Sequence, residues 1–196
     1  MNIGIIGHMR AGKTTMVGDY FATLGFARIH TAETLRRMLR PFLIDLGYSE
    51  DELYDCLEGD RKREPLKDFP DQTFTTLQQT LGTEWGRVLV NPEIWNHVVK
   101  RRMARSIFTY NDSIRFPNEA QAIIEAKGIL IKVERPGNPV DLNHASESHI
   151  ASLPYHFLVV NDSDYAHVER QLNAIHLSIR SNPWENLIIT RPTPNA

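Results

Sequence analysis

The sequence predicts one α/β domain: a mainly parallel sheet, helices on both faces, and a long helical insertion. Short apolar runs alternate with segments of helical period along the whole chain, the pattern left when crossover helices return each strand parallel to the last. No internal repeat or low-complexity linker interrupts that alternation. The stretch 31–105, between the second and third strand candidates, is too long for a simple crossover and is expected to be an inserted lobe. With 196 residues the chain can bury one good core and falls short of two full domains. The expected layout is therefore a core of about 1–30 and 106–190 with a helical lobe of about 31–105.

In chain order, residues 2–6 form an apolar run ending at Gly7, as a buried parallel strand does. Lys13 to Leu24 reads as a helix stopped by Gly25, and Phe26 to His30 is the second strand candidate. Thr31 can cap a helix whose apolar positions, Leu35, Met38, Leu39, Phe42, Leu43 and Leu46, recur every three or four residues on one face. Pro41 lies inside it, so a kink or break is expected there. Residues 48–72 are polar, with Gly59, Pro65 and Pro70, and suggest a short helix and an irregular excursion. Helical patterns resume at about 73–81 and 92–105. Ser106 to Asn111 is the third strand candidate, and a helix follows from Pro117 to Ala126, with proline in its first turn. Ile129 to Glu134 is a clear strand. Phe157 to Val160 and Leu187 to Thr190 are short strands around a helix at about 164–180, and the last residues read as a loose tail.

Composition excludes several classes. Hydrophobic residues make up 41% and charged residues 23%, which separates the chain from disordered sequences. A formal net charge of −2 gives no positive field to attract nucleic acid or a membrane. The single cysteine, Cys56, excludes an intrachain disulfide and a Cys-rich zinc site, and reads as a small buried hydrophobe. No apolar stretch is long enough for a membrane span and nothing resembles a signal peptide, so a cytoplasmic protein is expected.

The chemistry begins at Gly7-His8-Met9-Arg10-Ala11-Gly12-Lys13-Thr14, a full match to G-x-x-x-x-G-K-[ST] between a predicted strand and a predicted helix. Glycines let such a loop curl so that successive backbone N–H groups point at phosphate oxygens, and the following helix adds its positive end. Gly7, Ala11, Gly12, Lys13, Thr14 and Thr15 are the candidate nucleotide-binding residues. Lys13 would reach the β- and γ-phosphates of ATP, and the Thr14 hydroxyl would ligate Mg²⁺. The fold expected is thus the three-layer P-loop NTPase fold. The chain lacks an Asn-Lys-x-Asp base-reading motif and a hydrophobic strand ending in Asp-Glu, which argues against GTPase switches and motor ATPases. Small-molecule kinases need only the loop, an acceptor pocket and cations around the moving phosphoryl group.

Three further segments are unusual: Leu77-Gln-Gln-Thr-Leu-Gly-Thr-Glu-Trp-Gly-Arg87, Ile114-Arg-Phe-Pro-Asn-Glu-Ala120, and His144-Ala-Ser-Glu147. Together they are similar to the deoxynucleoside monophosphate kinases of tailed bacteriophages, from the loop to about Asn161-Asp162. The resemblance implies ATP- and Mg²⁺-dependent phosphorylation of a deoxynucleoside monophosphate, a host-cytoplasm setting if phage-encoded, and a possible homodimer. Carried over by position, Gln79, Gly82 and Thr83 would line the acceptor pocket, Trp95 would contact the nucleotide, and Arg115 and Glu119 would sit at the acceptor site. The residue types suit those roles. Arg115 offers a planar fork for a phosphate, Gln79 and Thr83 can hydrogen-bond a base or sugar, Gly82 allows close backbone approach, and Trp95 has a face to stack on.

Plainer readings stand beside these. A lone Trp in a helix is ordinarily core, and Arg115 and Glu119, four apart, could be an ion pair at a helix start. Arg36, Arg37 and Arg40, Arg61-Lys62-Arg63 and Lys100-Arg101-Arg102 read by default as solvated faces. Arg135, just past a strand, could reach the phosphates from a lid. His144 and His149 are not spaced to share a helix face as zinc ligands. The chain also departs from the family. Thr14 stands where the family has Asp, Thr75-Thr76 where a basic pair is frequent, and Ser113 where an acid precedes the arginine. Asp112, at a strand's carboxyl end, is the candidate to take over that acid's work, holding a Mg²⁺-bound water. The catalytic set expected is Lys13, Arg115 and Asp112. The alternatives are a P-loop kinase of another small acceptor and an ATP-hydrolysing protein associated with DNA.

Overall fold

A computed structural model describes residues 1–139, 149–182 and 186–192. The chain falls into two compact units, one formed by Met1–Ile29 and Val99–Ala196, the other by His30–Val98. In the first, five strands make one sheet: β1 (Asn2–Ile6), β2 (Ala27–Arg28), β3 (Thr109–Ile114), β4 (Ile129–Glu134) and β5 (Phe157–Val160). Their order is β2-β3-β1-β4-β5 and every pairing is parallel. This is the α/β fold expected, with the glycine loop leaving the central strand.

A strand covered on both faces alternates between two cores rather than between core and water. Ile3 and Ile5 of β1 and Ile131 and Val133 of β4 pack with Val17, with Phe21 of α1 (Asp19–Thr23), and with Val168 and Leu172 of α7 (Tyr165–Ser181). On the opposite face Ile6 and Leu130 pack with Val99 and Met103 of α5 (Ile94–Met103) and with Ala120 and Ile123 of α6 (Pro117–Glu125). The second unit has its own cluster. Leu39 and Leu43 of α2 (Thr31–Asp45) meet Leu53, Cys56 and Leu57 of α3 (Glu50–Leu57) and Phe74 of α4 (Phe74–Thr80). Ser49 and Glu52 form a capping box that starts α3, and the bonds from Ser49 hold the Glu52 carboxyl down at about 2. Cys56 is fully buried there, and burial pushes its thiol up, as for an inert core residue.

Several elements differ from the sequence reading. Helix α2 runs unbroken through Pro41. Leu35 and Leu39 before the proline and Leu43 after it are all buried, and that shared packing offsets a penalty of roughly 3 kcal/mol for an interior proline. The apolar face is narrower than its spacing suggested, because Met38 and Phe42 remain 41% and 47% exposed. Strand β3 begins and ends three residues later than expected. Register with β1 places Thr109 opposite Asn2, with a 2.7 Å side-chain hydrogen bond between them, and draws the polar Asn111-Asp112-Ser113 into the strand. Residues Leu81–Val90 form a π-helical segment that the hydrophobic pattern did not reveal. Leu187 to Thr190 is no strand; Thr190 makes a single antiparallel bridge to Tyr155. The tail beyond Pro192 lies outside the described residues.

Candidate active site

The loop after β1 is shaped by its glycines. A Cβ on Gly7 would lie 2.7 Å from the Val133 carbonyl oxygen, so only glycine lets the chain leave β1 this close to β4. Gly12 has φ +98°, and a Cβ there would meet Asn161 Nδ2 at 2.8 Å. The loop closes on itself where Ala11 N–H donates to the His8 carbonyl at 3.2 Å. Lys13, only 8% exposed, lays its Nζ on the same carbonyl at 2.7 Å, which keeps its charge at the loop's mouth. The helix opens with a π-helical turn, Lys13–Gly18, in which both Met16 and Val17 donate to the Gly12 carbonyl. π-Turns are rare and concentrate at functional sites.

Two neighbouring segments are fastened to this loop. Asn161, buried at the carboxyl end of β5, donates through Nδ2 to the Ala11 carbonyl at 3.0 Å. After β4, Asn138 donates to the Met9 carbonyl at 2.8 Å and Arg135 to the Arg10 carbonyl at 3.4 Å. Beside them lies a cavity of about 270 Å³, lined among others by His8, Ala11, Lys132 and Arg135. Lys132 is 8% exposed and its Nζ is 3.0 Å from Glu134. The sequence reading missed Asn161. Its one signal is position, since ligands of open parallel sheets sit beyond the strands' carboxyl ends.

The most constrained group is Asp112, on β3, whose carboxylate is 1% exposed. The Thr14 hydroxyl donates to its Oδ2 at 2.7 Å. Arg28, the last residue of β2, grips it with both prongs, Nε to Oδ1 at 3.1 Å and Nη2 to Oδ2 at 2.8 Å. Ser113 points its hydroxyl to Asn111 Oδ1 at 2.6 Å instead. So Asp112, not its neighbour, meets the loop. Magnesium at such sites takes most of its ligands from water and phosphate, with one or two protein groups, and the Thr14 hydroxyl beside the Asp112 carboxylate is that kind of donor set. Among the described residues no group of three or more His, Cys, Asp or Glu stands together as a metal site.

Glu119 is buried at the start of α6, where its Oε2 accepts the backbone N–H groups of Arg115 at 2.8 Å and Phe116 at 3.2 Å. Besides any contact with substrate, it sets the turn from which Arg115 projects.

Of the acceptor candidates, Gln79 and Thr83 are exposed and four residues apart, while Gly82 is buried. Trp95 departs from the expected stacking role. It is 3% exposed, its indole N–H donates to the Gly82 carbonyl at 2.7 Å, and a Cβ on Gly86 would lie 2.5 Å from its ring. The ring is packed inside the helical unit and holds Gly82 in place. Within the basic faces, Arg36 pairs with Glu58 at 2.9 Å, Arg40 with Glu50, and Arg61 with Glu64 at 2.8 Å. His144 to Glu147 lie outside the described residues.

The fold and loop together define a P-loop protein with a five-stranded parallel sheet. No family model matches the chain. A protein of Acanthamoeba polyphaga mimivirus, provisionally named a deoxynucleotide monophosphate kinase, is 26% identical over 181 residues, covering 82% of this chain and 88% of the relative. That relative comes from a giant virus, not a bacteriophage, so a phage origin is not shown. Three solved structures align with most of the chain, each with a TM-score below 0.5. Dephospho-CoA kinase from Campylobacter jejuni has 15% identity and a TM-score of 0.48, covering 92% of this chain and 97% of that one. TT1252 from Thermus thermophilus has 14% and 0.47, covering 91% and 97%. Shikimate kinase from Aquifex aeolicus has 14% and 0.43, covering 92% and 97%. Among the described residues no helix is long and apolar enough to cross a membrane.

Proposed function

We propose that this chain is an ATP- and Mg²⁺-dependent kinase that transfers the γ-phosphate of ATP to a deoxynucleoside 5′-monophosphate. The observation that carries the reading is the loop Gly7–Thr14, with Lys13 buried at its mouth and Thr14 joined to Asp112 at 2.7 Å. The mimiviral relative and the motif resemblance support the acceptor class. The loop amides and Lys13 hold the donor phosphates, and the Thr14 hydroxyl, bonded to Asp112, would hold the metal. Bound Mg²⁺ supplies charge neutralisation at the phosphates. Arg115, aimed by Glu119, grips the phosphate being transferred. Gln79, Gly82 and Thr83 read the acceptor, with Trp95 holding Gly82 from behind. Positioning and electrostatics suffice for in-line transfer, with no covalent intermediate.

A coupled ADP-release assay with Mg·ATP and each deoxy- and ribonucleoside monophosphate tests this. Turnover that depends on a monophosphate, with the matching diphosphate as product, is the expected result. Lys13→Ala is expected to lower kcat by about 10²–10³-fold or more while the far-UV CD spectrum is unchanged. ATP hydrolysis indifferent to every monophosphate, or stimulated by DNA, would overturn the reading. Turnover with another small alcohol or phosphate alone would keep the kinase and replace its acceptor.

A further inference from the structure

We infer that Arg28 is a positioning residue for the metal-nucleotide site, acting through Asp112 and Thr14. The inference rests on the nucleotide-site reading of the Gly7–Thr14 loop. Arg28 is 84 residues from Asp112 in sequence, and the parallel register of β2 with β3 brings them together: Arg28 lies opposite Tyr110, two residues before Asp112. The guanidinium forms a two-pronged bond at 3.1 and 2.8 Å to a carboxylate whose side chain is 1% exposed, while its own side chain stays 39% exposed. A carboxylate so far out of water costs several kcal/mol unless a cation and hydrogen bonds compensate it. Arg28 supplies such a cation and two such hydrogen bonds.

The consequence falls on Thr14. A hydroxyl has one proton and two lone pairs. Asp112 Oδ2, held by Arg28, accepts the Thr14 O–H at 2.7 Å, which fixes the direction of that bond and leaves the oxygen's lone pairs for other partners. A divalent ion needs those lone pairs. With the fork removed, the carboxylate is free to rotate about its χ angles, and the hydroxyl loses its fixed direction. Lysine cannot replace the fork, because it offers a point charge without the planar pair of donors.

Binding of a fluorescent ATP analogue to the full chain, with and without Mg²⁺, separates the possibilities. Arg28→Met is expected to leave metal-free binding within about twofold of wild type, since the amides and Lys13 are intact. It is expected to reduce the additional affinity given by Mg²⁺ about tenfold, the scale of one charge-assisted hydrogen bond. Arg28→Lys should fall between the two. Because Arg28 acts through Asp112, adding Arg28→Met to Asp112→Asn should cause no further loss of metal-dependent affinity. If Arg28→Met melts too low to measure, the Arg28→Lys comparison carries the test alone. A metal-dependent increment unchanged in both variants overturns the inference, and so does an increased one, which would make Arg28 a competitor of the metal. Wild-type protein that binds no nucleotide under either condition would instead sink the nucleotide-site reading.

Discussion

The indole N–H of Trp95 is committed to the Gly82 carbonyl at 2.7 Å, and Trp85 packs nearby with ring centroids 6.4 Å apart. A ring that stacked on a base would be dispensable for folding, whereas a buried ring with a satisfied N–H is not. Trp95→Phe keeps most of the apolar area and deletes the donor, losing one buried hydrogen bond at a cost of about 0.5–1.5 kcal/mol. The expected outcome is a lower Tm accompanied by a weaker KM for the acceptor, since Gly82 is released. A raised KM with an unchanged Tm would show that the ring itself contacts the ligand. Asp112 and Ser113, adjacent in sequence, turn to Thr14 and to Asn111.

Strands β4 and β5 are joined beyond their ladder by one histidine. His156 donates its backbone N–H to the Leu130 carbonyl at 2.8 Å, and its Nδ1 accepts the Leu130 N–H at 2.9 Å. Nδ1 can accept only while it carries no proton, and burial pushes the imidazole below its ordinary 6.5. In the unfolded chain the ring protonates as pH falls through about 6.5, while in the folded protein it resists. The unfolded state therefore binds more protons in that window, and stability drops as pH falls below about 6.5. His176 is also pushed down, by burial first and Arg180 second, and adds to the same window. Urea midpoints measured across pH 5–8 should show this decline. His156→Ala should be less stable at neutral pH by about 1–3 kcal/mol and show a shallower pH slope. An unchanged slope would place the pH dependence elsewhere.

For the whole molecule, a ligand that binds only the folded state stabilises it by mass action. Mg·ATP at a hundredfold its Kd should add about 2.7 kcal/mol, which for a chain of this size is a Tm rise of roughly 5–10 °C. Lys13→Ala should abolish most of that rise. A Tm insensitive to nucleotide in the wild type would contradict the proposed donor site, whatever the acceptor proves to be. The unit His30–Val98 contains its own apolar cluster, and Gln79, Gly82, Thr83 and the Trp95 anchor all lie within it.

By itself the sequence determined the features governed by local rules. The bounds of β1, β4 and β5 followed from apolar runs, α6 from its proline start, and the phosphate loop from a glycine pattern whose backbone geometry no other residue tolerates. Beyond local rules it was less informative. Strand β3 was misplaced because its polar Asp112-Ser113 contradicts strand propensity, and such local conflicts gather at functional sites. The π-helical segment Leu81–Val90, the continuity of α2 through Pro41, and the burial of Trp95 depend on what packs against each, which no window of neighbouring residues contains. Arg28 gave no signal at all. Its role exists only because β2 pairs beside β3, bringing a guanidinium to a carboxylate 84 residues away and, through it, to the Thr14 hydroxyl. Contacts at that sequence distance are set by strand order and register, and those were decided by the tertiary structure.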